Sequence, residues 1–257
     1  MQDNSPSSIK NRYAASGLAW WPVLLFLPAR LVFSFLVQVL ATGLAALGGS
    51  SDPWAEAAVW WPVYSTITDI LCLLALVWLT RREGLNLIAL LGVRGKAALR
   101  QLAWTPVYLL AIAPFGALAS LITQSFYGSG LPPYIAMVDL PPVAGLYSFL
   151  IWPIIWVVAE ELGYLGYLLP RLEALSGRTW LAAFLVTLFW GLQHLANPFI
   201  PDATHLISRL LAAWVAVGGV TLVYLLGKRR LVPIIGAHYL IDLFTGFLVG
   251  ILPWTSR

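Results

Sequence analysis

Long apolar runs recur along the whole chain and constrain its fold more than any other feature. Each run has about 17 to 30 residues, and about 20 are enough for a helix to cross the hydrocarbon core of a bilayer. Inside lipid a helix satisfies its own backbone hydrogen bonds, and no alternating pattern favours a barrel. The sequence therefore predicts an all-α polytopic membrane protein with about seven transmembrane helices. They are expected at about Leu18–Leu47, Ala57–Thr80, Gln101–Ser125, Val143–Leu169, Trp180–Ala196, Leu206–Gly227 and Leu231–Leu252.

The composition excludes a soluble domain. Hydrophobic residues make up 60% of the 257 positions and charged residues only 10%, whereas soluble domains carry about 25% charged residues. The first apolar run is about twice as long as the core of a signal peptide, which indicates a retained span. The single cysteine, Cys72, lies inside an apolar run, so we expect it to pack as a small side chain.

Basic residues predict the orientation. Twelve of the 15 Lys and Arg lie before the first span or in alternate loops, which by the positive-inside rule face the cytoplasm. We therefore expect a cytoplasmic N-terminus and an outer C-terminus in a membrane of the bacterial cytoplasmic type. Anionic lipid headgroups account for the basic balance, so the bilayer is the expected partner and nucleic acid is not. The sequence leaves the oligomeric state open.

Besides Arg209, near the outer end of the sixth predicted span, seven Asp, Glu, Arg or His residues fall inside the predicted spans. Each would cost about 3 kcal/mol or more in the hydrocarbon, so each needs a partner or a function. They are Arg30, Asp69, Glu160, Glu161, His194, His238 and Asp242.

Adjacent carboxylates in the fourth span form the first of three local patterns. Glu160 and Glu161 point about 100° apart on an α-helix, so they cannot share one face. A carboxylate in a low-dielectric segment is a candidate general base. The alternative is a structural pair that is hydrogen-bonded to neighbouring helices.

The other two patterns each place a histidine four residues from a second side chain. Trp190 precedes His194 by four positions, which predicts an indole stacked over the imidazole; a packed core histidine is the alternative. His238 precedes Asp242 by four positions, so the carboxylate can orient the ring, or both can reach one ligand. A local pair that only stabilises the helix is the alternative there. The third histidine, His205, is predicted to be a loop residue at an outer helix end.

Three segments in this order carry a family resemblance: EELGYLGYLLPRLEAL, FWGLQH and PIIGAHYLID. They resemble the CAAX-protease and bacteriocin-processing family of intramembrane proteases. That family is marked by E-E-x-x-x-R, an aromatic residue four positions before a histidine, and H-x-x-x-N or H-x-x-x-D. The resemblance covers about Phe149 to Leu252. It implies a catalytic transmembrane core at residues 143–252. The apolar runs and basic residues predict a cytoplasmic tail at 1–17 and N-terminal transmembrane helices at 18–142.

The resemblance also implies roles for the site residues. Glu160 would activate a water for attack on a peptide carbonyl, and His194 would hold or polarise that water. His238 and Asp242 would stabilise the oxyanion and orient the site, which also includes Glu161.

One position departs from the family pattern. Leu165 stands where the family has its arginine, so Glu161 loses a partner one helical turn away. Glu161 is then either protonated or paired with Arg30, which lies in the middle of the first span. Arg30 can equally pair with Asp69, and this structural pair is the favoured alternative.

The resemblance implies an endopeptidase that acts on a membrane-associated protein or peptide. Two other classes stay open: a non-catalytic relative in bacteriocin self-immunity or scaffolding, which Leu165 favours, and a proton-coupled transporter. No cofactor is expected, since the resemblance favours a metal-free glutamate mechanism. Zinc is kept as an alternative, with Glu160, His194 and His238 as its ligands.

Overall fold

The structure, a computed structural model that describes residues 5–255, is almost entirely helical, and no strand occurs within that range. Seven helices in this range are long and apolar enough to cross a membrane. This confirms the predicted all-α polytopic architecture. The seven candidate spans are Ala29–Leu47, Trp61–Arg82, Thr105–Tyr127, Pro142–Ser176, Thr179–Ala196, Ala203–Leu226 and Leu231–Gly250.

Many helices begin with a proline in the first turn, where its missing N–H has no intrahelical partner to lose. Asp52 and Asp202 cap two helices with side-chain oxygens. The α-helices are α1 (Pro6–Ala15), α2 (Trp21–Phe26), α3 (Ala29–Leu47), α4 (Pro53–Val59), α5 (Trp61–Arg82), α6 (Lys96–Leu102), α7 (Thr105–Tyr127), α8 (Pro133–Ala136), α9 (Pro142–Leu150), α10 (Trp152–Glu160), α11 (Leu169–Ser176), α12 (Thr179–Gln193), α13 (Ala203–Leu226), α14 (Leu231–Gly250) and α15 (Leu252–Thr255). Leu87–Leu91 and His194–Ala196 are 3₁₀ turns, and Glu161–Leu168 is a π-helix.

The first apolar run is not one helix, contrary to the prediction. It divides into the short α2 and the spanning α3, with Pro28 at the N-cap of α3. A proline has no N–H to donate and clashes with the preceding turn, so it starts a helix more readily than it continues one. The first candidate span is therefore shorter than Leu18–Leu47.

The fourth span is longer than predicted, because α9, α10, the π-helix and α11 follow one another without a loop. Arg171, predicted to lie in the loop after this span, lies in α11 and is fully buried. Its burial is tolerated because Glu83 accepts two hydrogen bonds from its guanidinium, at 2.7 and 3.0 Å.

The fourth span occupies the centre of the bundle. Helix α10 packs against α5 and α14, and the π-helix contacts α5, α12 and α14. Helix α14 also lies close to α9: a Cβ at Gly246 would be 2.6 Å from the backbone oxygen of Ser148. Glycine at such a contact lets two transmembrane helices approach closely. Side chains of the fourth, fifth and seventh spans therefore meet in the interior.

Two single-residue predictions have different outcomes. Cys72 is buried in α5, as a packing residue should be. His205 is not a loop residue: it lies in the first turn of α13 and is 1% exposed. Its backbone N–H donates to Asp202 Oδ1 at 2.7 Å, so the capping aspartate begins the helix earlier than the apolar pattern indicated.

Candidate functional site

The imidazole of His238 lies among three carboxylates, two from the fourth span and one from its own helix. Its Nδ1 is 2.8 Å from Glu161 Oε1, although the two residues are 77 positions apart. Its Nε2 is 3.7 Å from Glu160 Oε2 and 3.4 Å from Asp242 Oδ2. Both glutamates are fully buried. Four of the five predicted site residues therefore lie in one cluster.

The change from α-helix to π-helix occurs between the two glutamates. Glu160 is the last residue of α10 and Glu161 the first of the π-helix. The i→i+5 hydrogen bonds of a π-helix alter the angular spacing of side chains, and such segments are frequent at functional sites. Both glutamates reach the same histidine, but each faces a different ring nitrogen.

Arg30 joins the cluster from the first span. Its Nε and Nη2 donate to Asp69 Oδ1 at 3.0 and 2.5 Å, which confirms the predicted Arg30–Asp69 pair. Its Nη1 donates to Glu160 Oε1. The alternative pairing of Arg30 with Glu161 is wrong, because Glu161 contacts His238 instead. The guanidinium carbon lies 4.0 Å from the ring centre of Trp156.

Gln193 is a site residue that the sequence analysis missed. Its Nε2 donates to Glu160 Oε1 at 2.5 Å, and its Oε1 accepts from Arg30 Nη1. The site prediction rests on ionisable residues within the spans, and glutamine is not ionisable. A buried amide in an apolar helix also needs hydrogen-bond partners. The position of Gln193 in an apolar segment, directly before His194, is therefore a sequence signal that identifies it as a candidate site residue.

His194 lies at the edge of the cluster, where α12 passes into a 3₁₀ turn. Its Nδ1 donates to the backbone oxygen of Trp190 at 2.9 Å and lies 3.3 Å from Gln193 Nε2. The predicted stack of Trp190 on His194 is wrong. The indole stacks on Tyr164 of the π-helix, with ring centres 5.2 Å apart. The four-residue spacing thus produces a ring-to-backbone hydrogen bond, and the π-helix supplies the aromatic partner.

The position of the missing arginine is apolar. Leu165 is 0% exposed and belongs to the hydrophobic core that also contains Leu162 and Tyr167. No three His, Cys, Asp or Glu side chains within residues 5–255 are arranged to hold a metal ion.

An apolar cavity of about 660 Å³ is lined in part by the two spans that carry the cluster. Val158 and Leu162 line it from the fourth span, and Ile235 and Tyr239 line it from α14. These residues are close in sequence to Glu160, Glu161 and His238, so the cavity and the cluster share the same two spans.

Part of the chain matches a known protein family. Residues 142–244 match a family model described as Type II CAAX prenyl endopeptidase Rce1-like. No curated protein and no solved structure matches the chain. The matched range includes all five predicted site residues and none of the first three spans. The resemblance inferred from the three motifs is confirmed for this segment.

Proposed function

We propose that this chain, whose residues 142–244 are an Rce1-like segment, is an intramembrane endopeptidase that hydrolyses a peptide bond in a membrane-associated protein or peptide. One observation carries the proposal: the motif residues of the fourth and seventh spans meet around His238. A buried group of carboxylates and imidazole has the acid, base and hydrogen-bonding functions that hydrolysis needs.

Glu160 is the proposed general base. Its Oε1 accepts from Arg30 and Gln193, while no hydrogen bond within the described residues reaches its Oε2. In the proposed step Oε2 takes a proton from a water as the water oxygen bonds to the peptide carbon. The carbonyl oxygen then carries the negative charge. Collapse of this tetrahedral species breaks the C–N bond, and Glu160 returns the proton to the leaving amine.

His238 is the proposed donor to the oxyanion. Glu161 accepts from Nδ1–H and fixes the ring, so Nε2 faces the side where Glu160 Oε2 and Asp242 lie. When Nε2 carries a proton it can donate to the oxyanion, and a preorganised donor of this kind contributes about 3 to 4 kcal/mol. Asp242, which stands at a position of asparagine or aspartate in the family pattern, can donate in the same way only when protonated.

His194 is proposed to hold the water. Because its Nδ1–H is used by the backbone of Trp190, its Nε2 is the acceptor in the neutral ring. With the orientation that the basic loops favour, the site would be reached from the cytoplasmic half of the membrane.

The test is cleavage of a panel of membrane-tethered peptides by the purified protein in lipid. Glu160→Gln should lower kcat by about 100-fold to 10,000-fold, as expected on loss of a general base. Glu173→Gln is the matched control, since Glu173 is a carboxylate of the same span that pairs with Arg229 outside the cluster. Equal activity of wild type and Glu160→Gln contradicts the proposed base. Loss of wild-type activity on addition of a chelator supports the zinc alternative instead.

Leu165 favours one second candidate, a relative without catalysis that serves as a scaffold or in self-immunity. That candidate predicts an inert wild type and cleavage by Leu165→Arg. Activity of the wild type under the same conditions excludes it.

A further inference from the structure

Arg30 distributes its donors between two carboxylates and is itself almost completely buried, at 3% exposure. Nε and Nη2 bind Asp69, and Nη1 binds Glu160 and the amide oxygen of Gln193. Trp156 covers one face of the guanidinium. The side chain therefore has one arrangement, held from α5 by Asp69 and directed at Glu160.

The buried cluster needs a cation. Four carboxylates lie in it or next to it, whereas position 165, where the family motif has its arginine, holds a leucine in an apolar core. A buried carboxylate without a compensating charge is strongly unfavourable. Arg30 is the one guanidinium that hydrogen-bonds a carboxylate of this cluster within the part of the chain that the structure describes. The four carboxylates are Asp69, Glu160, Glu161 and Asp242.

We propose that Arg30 is a positioning residue of this site and supplies, from the first span, the cation that the motif places at position 165. This inference rests on the proposed function. By holding Glu160 Oε1, Arg30 and Gln193 leave Oε2 directed at His238 Nε2, 3.7 Å away. The catalytic unit then extends beyond residues 142–244 into α3 and α5, and the leucine at 165 is compatible with activity.

The alternative is that Arg30 only forms a structural ion pair. Arg171 is the matched control that distinguishes this role from a positioning role. Arg171 is also fully buried and also binds a buried carboxylate, Glu83, but it lies outside the cluster. Replacement of either arginine by methionine should reduce stability. Only replacement of Arg30 should reduce the rate of the folded enzyme.

The kinetic experiment compares wild type, Arg30→Met/Asp69→Asn, Arg30→Lys and Arg171→Met in lipid, with rates normalised to the folded fraction. The double variant removes Asp69's charge along with its partner, which limits the loss of stability. Its kcat should fall about 100-fold with KM within about threefold, because a misplaced base affects the chemical step. Arg30→Lys keeps the positive charge but loses the planar guanidinium that donates to several acceptors at once. Its kcat should lie at least tenfold above that of the double variant. Arg171→Met should stay within about threefold of wild type.

Any of three results overturns the positioning role of Arg30. They are a double variant that keeps the wild-type kcat, an Arg30→Lys kcat no higher than that of the double variant, and an Arg171→Met kcat that falls as far as that of the double variant. A wild type that cleaves nothing refutes the proposed function but not the role of Arg30. A spectroscopic measurement tests, without any substrate, whether Arg30 supplies the charge that keeps Glu160 ionised.

Infrared difference spectra between each background and its Glu160→Gln derivative isolate the carboxyl of Glu160. In the wild-type background we expect the bands of an ionised carboxylate. In the Arg30→Met/Asp69→Asn background we expect the C=O stretch of a protonated carboxyl, because the compensating charge is gone. The same band type in both backgrounds overturns the inference.

Discussion

Two ion pairs that include a residue of α11 are both bidentate but differ in burial, so they predict different losses of stability when their carboxylates are neutralised. Arg171 binds Glu83 at 2.7 and 3.0 Å, and the two side chains are 0% and 1% exposed. Arg229 binds Glu173 at 2.6 and 3.0 Å, and these side chains are 35% and 11% exposed. The hydrogen bonds of the two pairs are thus nearly equal in length, and the pairs differ mainly in the exposure of their side chains.

The magnitudes follow from that difference. Removing one partner of a buried pair costs about 3 to 5 kcal/mol, because the other charge is left in a low-dielectric interior. Glu83→Gln should lie at the lower end, about 3 kcal/mol, since the amide oxygen can still accept one of the bonds. Glu173→Gln should cost no more than about 1 kcal/mol, because solvent screens a partly exposed pair.

The assay is equilibrium unfolding in mixed micelles with increasing SDS, followed by tryptophan fluorescence. Glu56→Gln, which changes an exposed carboxylate of α4, gives the baseline for loss of one negative charge. If the losses for Glu83→Gln and Glu173→Gln agree to within about 1 kcal/mol, burial does not control the strength of these pairs and the reasoning is refuted.

Two further predictions use the same unfolding assay. Burial alone would raise the pKa of Glu83, but hydrogen bonds and charge from Arg171, together with the Tyr13 hydroxyl, outweigh burial and hold that pKa below its usual value of 4.5. The stabilisation by ionised Glu83 is therefore complete at neutral pH and is lost as the pH falls through the lowered pKa. The unfolding free energies of wild type and Glu83→Gln should converge only at acid pH. A constant difference between them down to acid pH would contradict this prediction. At Gly246 a new Cβ would be 2.6 Å from a backbone oxygen, so Gly246→Ala should destabilise by about 1 to 3 kcal/mol. Gly163→Ala, whose Cβ would meet the Phe26 ring at an ordinary 3.7 Å, should change the free energy by less than about 1 kcal/mol, and a larger loss there than at Gly246 would show that helix spacing is not limiting.

Local signals predicted the class of the fold and the family resemblance of residues 142–244. Length and hydropathy of a segment decide whether it can cross a bilayer, and both are properties of consecutive residues. The same holds for the three motifs, whose spacings of one or four positions are set by the geometry of a single helix. Six of the seven spans were therefore located to within a few residues at their beginnings, although the fourth extends further than Val143–Leu169.

Long-range pairing could not be read from these signals. The partner of Arg30 was narrowed to Asp69 or Glu161 by charge alone, and the structure adds Glu160 and Gln193, which lie 130 and 163 positions away. The charge of Arg171, just after an apolar run, predicts a loop position, because charged residues usually lie beyond the ends of spans. Its partner Glu83, 88 positions away, makes its burial tolerable.

The sequence by itself determined that the chain is a helical membrane protein of about seven spans and which ionisable side chains within those spans need a partner or a function. Tertiary structure decided how those side chains are paired: Glu160 with Arg30, Glu161 with His238, and Trp190 with Tyr164. The physical reason is that insertion into a bilayer depends on the transfer free energy of one segment at a time. The ionisable groups of those segments must find partners across helices, and only the packing of the bundle determines which partners are within reach.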